Sequence, residues 1–155
     1  MQLRIAAVGR LRAGPEADLV EDYLARIGKI GRAVGMGPAS IQEVEAKKGG
    51  KDAEGELLEK AVGAVRPLVV LDERGRLLSS PDFAGKLGQW RDQGNAQVAL
   101  VIGGADGVAP ELRDKADLVL SFGKMVWPHM LARVMLAEQL YRATSILTGS
   151  PYHRV

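Results

Sequence analysis

Cysteine is absent from this chain, and the only imidazoles belong to His129 and His153. The first absence excludes a disulfide scaffold, thiolate-bound zinc, iron–sulfur clusters and thiol catalysis, and it points to a cytoplasmic address. Long apolar runs are missing as well. No stretch approaches the roughly 18 consecutive apolar residues of a membrane helix, and the N-terminus lacks the basic, apolar and cleavage regions of a signal peptide, so no membrane attachment is expected. Neither sign of charge dominates: 21 Lys and Arg against 19 Asp and Glu leave a formal +2. With a pI near 9.0, that permits an anionic partner without requiring one. The rest is ordinary globular material. The 155 residues are 46% hydrophobic and 26% charged, which suits one domain over residues 1–155. A chain of that length buries roughly 70% of the surface it exposes when unfolded.

Apolar periodicity predicts an alternation of strands and helices. Leu3-Arg4-Ile5-Ala6-Ala7-Val8 reads as a strand stopped by Gly9. Pro15 opens an amphipathic helix on which Leu19, Tyr23 and Ile27, with Val20 and Leu24, form the apolar face, with acids early and Arg26 and Lys29 late. Gly28, Gly31, Gly35, Gly37 and Pro38 end it and lead to a short strand at Ser40–Val44, followed by a charged, mobile-looking stretch over Glu43–Lys60. A second helix is expected over Asp52–Val65, and a strand over Pro67–Leu71 that ends at Asp72. Ser80 is the expected N-cap of a third helix, with Pro81 at its first position and Phe83, Leu87 and Trp90 buried. Then come a strand at Gln97–Ile102, a short helix near Pro110–Ala116, a strand at Leu118–Phe122 and a long helix from Pro128 to Leu147. About five strands alternating with five helices indicate an α/β fold with a mostly parallel sheet and helices on both faces.

In such sheets ligands favour the crevice beyond the carboxyl ends of the strands. Three strand endings therefore matter: Leu71-Asp72-Glu73-Arg74-Gly75, Ile102-Gly103-Gly104-Ala105-Asp106-Gly107 and Ser121-Phe122-Gly123-Lys124-Met125-Val126-Trp127-Pro128. The glycines read either as a tight turn or as a place where backbone approaches a nucleoside. Neither the dinucleotide fingerprint nor the phosphate-binding loop is present, which sets back a dehydrogenase or nucleoside triphosphatase. Asp72 and Glu73 read as solvated loop charges, because neighbours on an extended chain point apart. Met125, Val126 and Trp127 read as core or as the wall of an adenine pocket. On the last helix His129 and Arg133 share a face, and Glu138 can pair with Arg142. The terminal Tyr152, His153 and Arg154 suit stacking on a base, proton transfer and phosphate contact, while a chain end of this kind is expected to add little stability.

Together the 101–107 motif, the 120–129 motif, Arg133, the Glu138–Ala143 stretch and terminal Pro151-Tyr152-His153-Arg154 resemble the RlmH family, small SPOUT-class methyltransferases acting on N3 of a pseudouridine in 23S ribosomal RNA. The resemblance spans nearly the whole chain and is strongest from Leu100 onward; the Gly28–Lys60 region departs most. It implies a SPOUT fold with a C-terminal trefoil knot, a homodimer, and the assembled ribosome as partner. It implies S-adenosylmethionine as cofactor, held by Leu71, Gly103, Gly104, Phe122, Gly123, Lys124, Met125, Val126 and Trp127. His129, Arg133, Arg142, Tyr152, His153 and Arg154 would line the RNA pocket. No metal is required, since the methyl group is already activated and the protein must chiefly align it and help remove a proton. His153, with an unperturbed pKa of about 6.5, is one candidate acceptor, and water beside arginines is another. A ribosome-binding protein without turnover is the competing reading.

Overall fold

A computed structural model describes residues 1–154; Val155, the last residue of the expected domain, lies outside them. Five parallel strands form one sheet: β1 (Gln2–Val8), β2 (Ala39–Val44), β3 (Leu68–Leu77), β4 (Gln97–Ile102) and β5 (Leu118–Ser121), in the order β2-β1-β4-β3-β5. Four helices connect them, α1 (Pro15–Ile30), α2 (Lys51–Val62), α3 (Ser80–Asp92) and α4 (Pro110–Asp114), with a 3₁₀ turn at Gly31–Val34, and α5 (His129–Thr148) follows the last strand.

The central strands are apolar throughout because both faces are covered. Leu3, Ile5 and Ala7 of β1, Val69 of β3, and Val98, Leu100 and Ile102 of β4 join one core with Ile27, Phe83, Leu87, Leu136 and Leu140 from α1, α3 and α5. The intervening Ala6, Val8, Leu68, Val70, Ala99 and Val101 join another with Leu58 and Val62 of α2 and Leu112 of α4. A period of two thus divides each strand between two layers, as expected for an α/β sheet.

Several boundaries differ from the sequence expectation for local reasons. The third helix is capped by Ser79 and not Ser80: the Ser79 hydroxyl accepts from the Asp82 N–H at 3.1 Å, and Ser80 is already helical. Ser80 instead donates to Gln139 on α5 at 2.8 Å. Helix α2 stops at Val62, because Gly63 turns to positive φ while its N–H closes the last turn on Glu59. The mobile-looking segment narrows to residues 45–50 between β2 and α2. Leu19 is 45% exposed, so the apolar face of α1 is only partly covered.

Strand β3 departs most. It continues to Leu77, with a register break in which Leu120 of β5 lies opposite both Leu71 and Arg76. Residues 72–75 arch over β5 so closely that a Cβ on Gly75 would stand 2.6 Å from the Val119 carbonyl oxygen; only glycine fits there.

Candidate active site

The carboxyl ends of β3, β4 and β5 surround a cavity of about 290 Å³ at one edge of the sheet. Its apolar surface comes from Leu71, Ile102, Leu120, Phe122, Met125, Val126 and Trp127, and its rim includes Glu73, Arg74, Asp106 and His129. Met125, Val126 and Trp127 are 73%, 79% and 43% exposed. That is unusual for an apolar run and suits a wall awaiting a planar ligand. Of the expected cofactor residues, Leu71, Gly103, Gly104, Phe122, Gly123, Met125, Val126 and Trp127 line this cavity. Lys124 is exposed and is not among the lining residues.

Two loops are held rigidly around it. Ser121 Oγ accepts from the Gly123 N–H at 3.0 Å and lies 3.1 Å from the Glu73 carbonyl, tying the end of β5 to the arch that follows Leu71. The Gly107 N–H donates to the Gly104 carbonyl at 3.0 Å, closing the glycine turn. Both readings of these glycines hold, because the tight turn is also a wall of the cavity. A Cβ on Gly103 would meet the Gly107 carbonyl oxygen at 2.6 Å, whereas one on Gly104 would meet the Glu54 carboxylate at 2.8 and 3.1 Å. The turn's own closure therefore demands Gly103, whereas a side chain at Gly104 would have to displace the movable Glu54 carboxylate.

Asp72 is not a solvated loop charge. Its side chain is only 5% exposed and bonds Arg113 at 3.0 Å and Arg74 at 3.1 Å. Burial acts to raise its pKa, but hydrogen bonds from Arg74 and Arg113 prevail and hold it below the ordinary carboxylate value. The ion pairs anchor the arch beside the cavity.

The expected RNA-facing residues divide into groups along α5. His129, at its start, lines the cavity. Arg133, one turn later, is 1% exposed; it donates to Glu43 at 2.7 Å and to the Val8 and Gly9 carbonyls at 3.0 Å each. In this chain it is an internal strut joining α5 to the ends of β1 and β2. Further along, Glu138 accepts from Arg142 and, at 3.0 Å, from the Tyr152 hydroxyl. Tyr152 stacks on Tyr141 with centroids 4.5 Å apart and lies under the Arg142 guanidinium at 4.8 Å. Burial first, then the Glu138 carboxylate, push its phenol pKa well upward, so it remains a proton donor. The tail is thus docked and not frayed. Arg142 also contacts His153 Nδ1 at 3.2 Å, while Arg154 is exposed. Glu138 also lines a second cavity with Leu77, Phe122, Val134 and Met135.

Comparison with known proteins matches residues 1–153 to the family described as predicted SPOUT methyltransferase. This chain belongs to the SPOUT methyltransferase family. It is 65% identical to ribosomal RNA large subunit methyltransferase H of Cereibacter sphaeroides, over all of both chains. With the protein of that name from Ruegeria pomeroyi it shares 62%, again over all of both chains. A solved structure of a probable methyltransferase from Bordetella pertussis has the same fold at 16% identity, with a TM-score of 0.55 over 92% of this chain and 96% of that one. Another, a probable methylase family protein from Haemophilus influenzae, covers 99% of this SPOUT chain and 70% of its own at a TM-score of 0.56 and 13% identity.

Three residues at or near this SPOUT site were not singled out individually by the sequence, although Arg74 and Asp106 stand in the strand endings it marked. Glu54 lies in a charged stretch that reads as solvated, and Arg74 and Asp106 are ordinary loop charges until the fold brings them to one rim. Tyr141, within the Glu138–Ala143 stretch, is the ring on which the tail stacks.

Proposed function

We propose that this chain is an S-adenosylmethionine-dependent methyltransferase acting on N3 of a pseudouridine in 23S ribosomal RNA within the ribosome, as a cytoplasmic homodimer of single-domain chains. The observation that carries the reading is the cavity at the strand ends. It combines an exposed apolar wall, a glycine turn presenting bare backbone, and an imidazole on its rim. The 60–65% identical relatives named for ribosomal RNA supply the substrate class. Among the described residues no helix is long and apolar enough to cross a membrane. The trefoil-threaded C-terminus is part of the proposal and rests on the family match over residues 1–153.

The residues fit the donor. Met125, Val126, Trp127 and Leu71 offer an apolar slot for adenine, and the backbone at Gly103, Gly104 and Gly123 offers polar groups for its edge and the ribose. When bound, the donor supplies an electrophilic methyl carbon on a sulfonium. The protein's part is to align N3 with that carbon and to receive the N3 proton. His129, on the cavity rim, is the imidazole placed to accept it. In the docked tail the Arg142 guanidinium can only donate, so His153 Nδ1 accepts and its proton sits on Nε2. That leaves His153 as a donor to a uracil-like oxygen, beside Arg142 and Arg154, where negative charge develops. Ribosomes from a strain lacking the modification, incubated with radiolabelled donor, are expected to take up one methyl group at a pseudouridine of 23S RNA. Absence of label in ribosomes, subunits and free RNA overturns the assignment.

A further inference from the structure

Glu54 stands out against every other charged side chain near the cavity. It lies on the first turn of α2, and its Oε2 atom is shielded from solvent with no hydrogen-bond partner. The carboxylate occupies the space over Gly104 that any side chain there would fill. Asp72, whose side chain is buried, is neutralised by Arg74 and Arg113. Glu54 has no such partner. Around it are Val8 of β1, Ala109 beside Gly55, and the turn whose Asp106 lines the cavity. Its pKa is raised, first by burial and then by the charge of Asp106, with His129 acting the other way. Glu54 as a whole is half-buried, but a carboxylate with one shielded oxygen and no hydrogen bond to it is stabilised when a cation approaches.

We infer that Glu54 is a specificity-determining residue: behind the Gly103–Gly107 turn, it makes the cavity select a positively charged sulfonium donor over the neutral thioether that remains after transfer. The inference rests on the proposed methyl donor. Substrate and product share adenine, ribose and amino-acid groups, so contacts with those groups cannot separate them. Only charge and one methyl group differ. A fixed negative charge that no protein cation neutralises acts on the charge without touching the ligand, because the low dielectric of a shielded position carries the field. Its effect disappears once the methyl group has left, which favours exchange of product for fresh donor.

Titration calorimetry of the full chain with three ligands tests this: S-adenosylmethionine, S-adenosylhomocysteine, and sinefungin, whose amine keeps a positive charge near the sulfonium position. Glu54→Gln is expected to weaken the two cationic ligands about tenfold and the thioether less than about twofold. Because it removes a charge whose shielded oxygen has no hydrogen bond, at constant volume, it should melt no lower than wild type. Glu54→Asp, which keeps the charge, is expected to retain the wild-type preference. Asp106→Asn, more exposed, should shift the preference in the same direction by a smaller factor. Equal weakening of all three ligands in Glu54→Gln would make Glu54 a mere prop for the turn and overturn the inference, as would unchanged affinities. If Glu54→Gln does not fold, loss of preference in Glu54→Asp or none in Asp106→Asn overturns it. A wild-type chain that binds none of the three overturns the donor reading itself.

Discussion

The Arg133 guanidinium is 1% exposed and sets its two terminal nitrogens on one carboxylate and two main-chain carbonyls, while its Nε has no partner among the described residues. Removing it strands the Val8 and Gly9 carbonyls at the end of β1, beside the cavity. Arg133→Met is therefore expected to lower stability by about 3 kcal/mol, or about 10 °C in melting temperature, a loss read by calorimetry. Arg133→Lys, which keeps the charge but not the fork, should recover part of it. A melting temperature unchanged in Arg133→Met would mean that its hydrogen bonds carry no net stability. The four-residue spacing from His129 correctly placed both residues on one helical face. It could not say that the face turns inward at one position and meets a cavity at the other, because periodicity gives direction and not what covers it. The same limit applies to Gly103 and Gly104, whose pattern marked the turn while their individual causes lie in Gly107 and Glu54, from the turn itself and a distant helix.

At the level of elements, the strands were legible because each central one is apolar on both faces, and the helices because glycine and proline punctuate them. The extension of β3 was not. Asp72-Glu73-Arg74-Gly75-Arg76 has the composition of a solvated turn, and the ion pairs of Asp72, the Ser121 hydroxyl on the Glu73 carbonyl and the close passage over β5 hold it in the sheet. The docking of the C-terminal tail was not legible either. Its aromatic ring completes a packed row in which Tyr23, Tyr141 and Tyr152 follow one another, fastened to α5 through Glu138. A chain ending at Pro151 is consequently expected to lose about 2 kcal/mol, from the stacked ring and the hydroxyl bond together. Tyr152→Phe keeps the ring and should lose about 1 kcal/mol. Thermal melts of both variants measure the difference, and a truncated chain as stable as wild type would show that docking contributes nothing. Methyl transfer should fall further in the truncation than in Tyr152→Phe, because only the truncation removes His153 and Arg154.

On the scale of the whole molecule, the apolar surface is not scattered. The two cavities share Leu120, Phe122 and Gly123, so the exposed wall at Met125, Val126 and Trp127 continues past Phe122 toward Leu77, Val134 and Met135. Leu131, 42% exposed on α5, stands between Ala132 of the first cavity and Val134 of the second. A monomer of +2 net charge with such a rim is poorly equipped both to stay separate and to grip RNA, whereas the proposed two-fold dimer would cover the apolar strip and pool basic side chains. In a two-fold interface each substitution enters twice, so Leu131→Glu sets two buried carboxylates against the partner surface. That is expected to weaken association at least about a hundredfold while leaving the fold of each chain intact, since an exposed position costs little within the chain itself. Sedimentation should then show a monomer with an unchanged circular dichroism spectrum. Methyl transfer should be lost with the dimer if the tail of one chain completes the cavity of the other. A monomeric Leu131→Glu chain with full activity would place the entire site within one chain, and a dimer that withstands the substitution would move the interface off this face of α5.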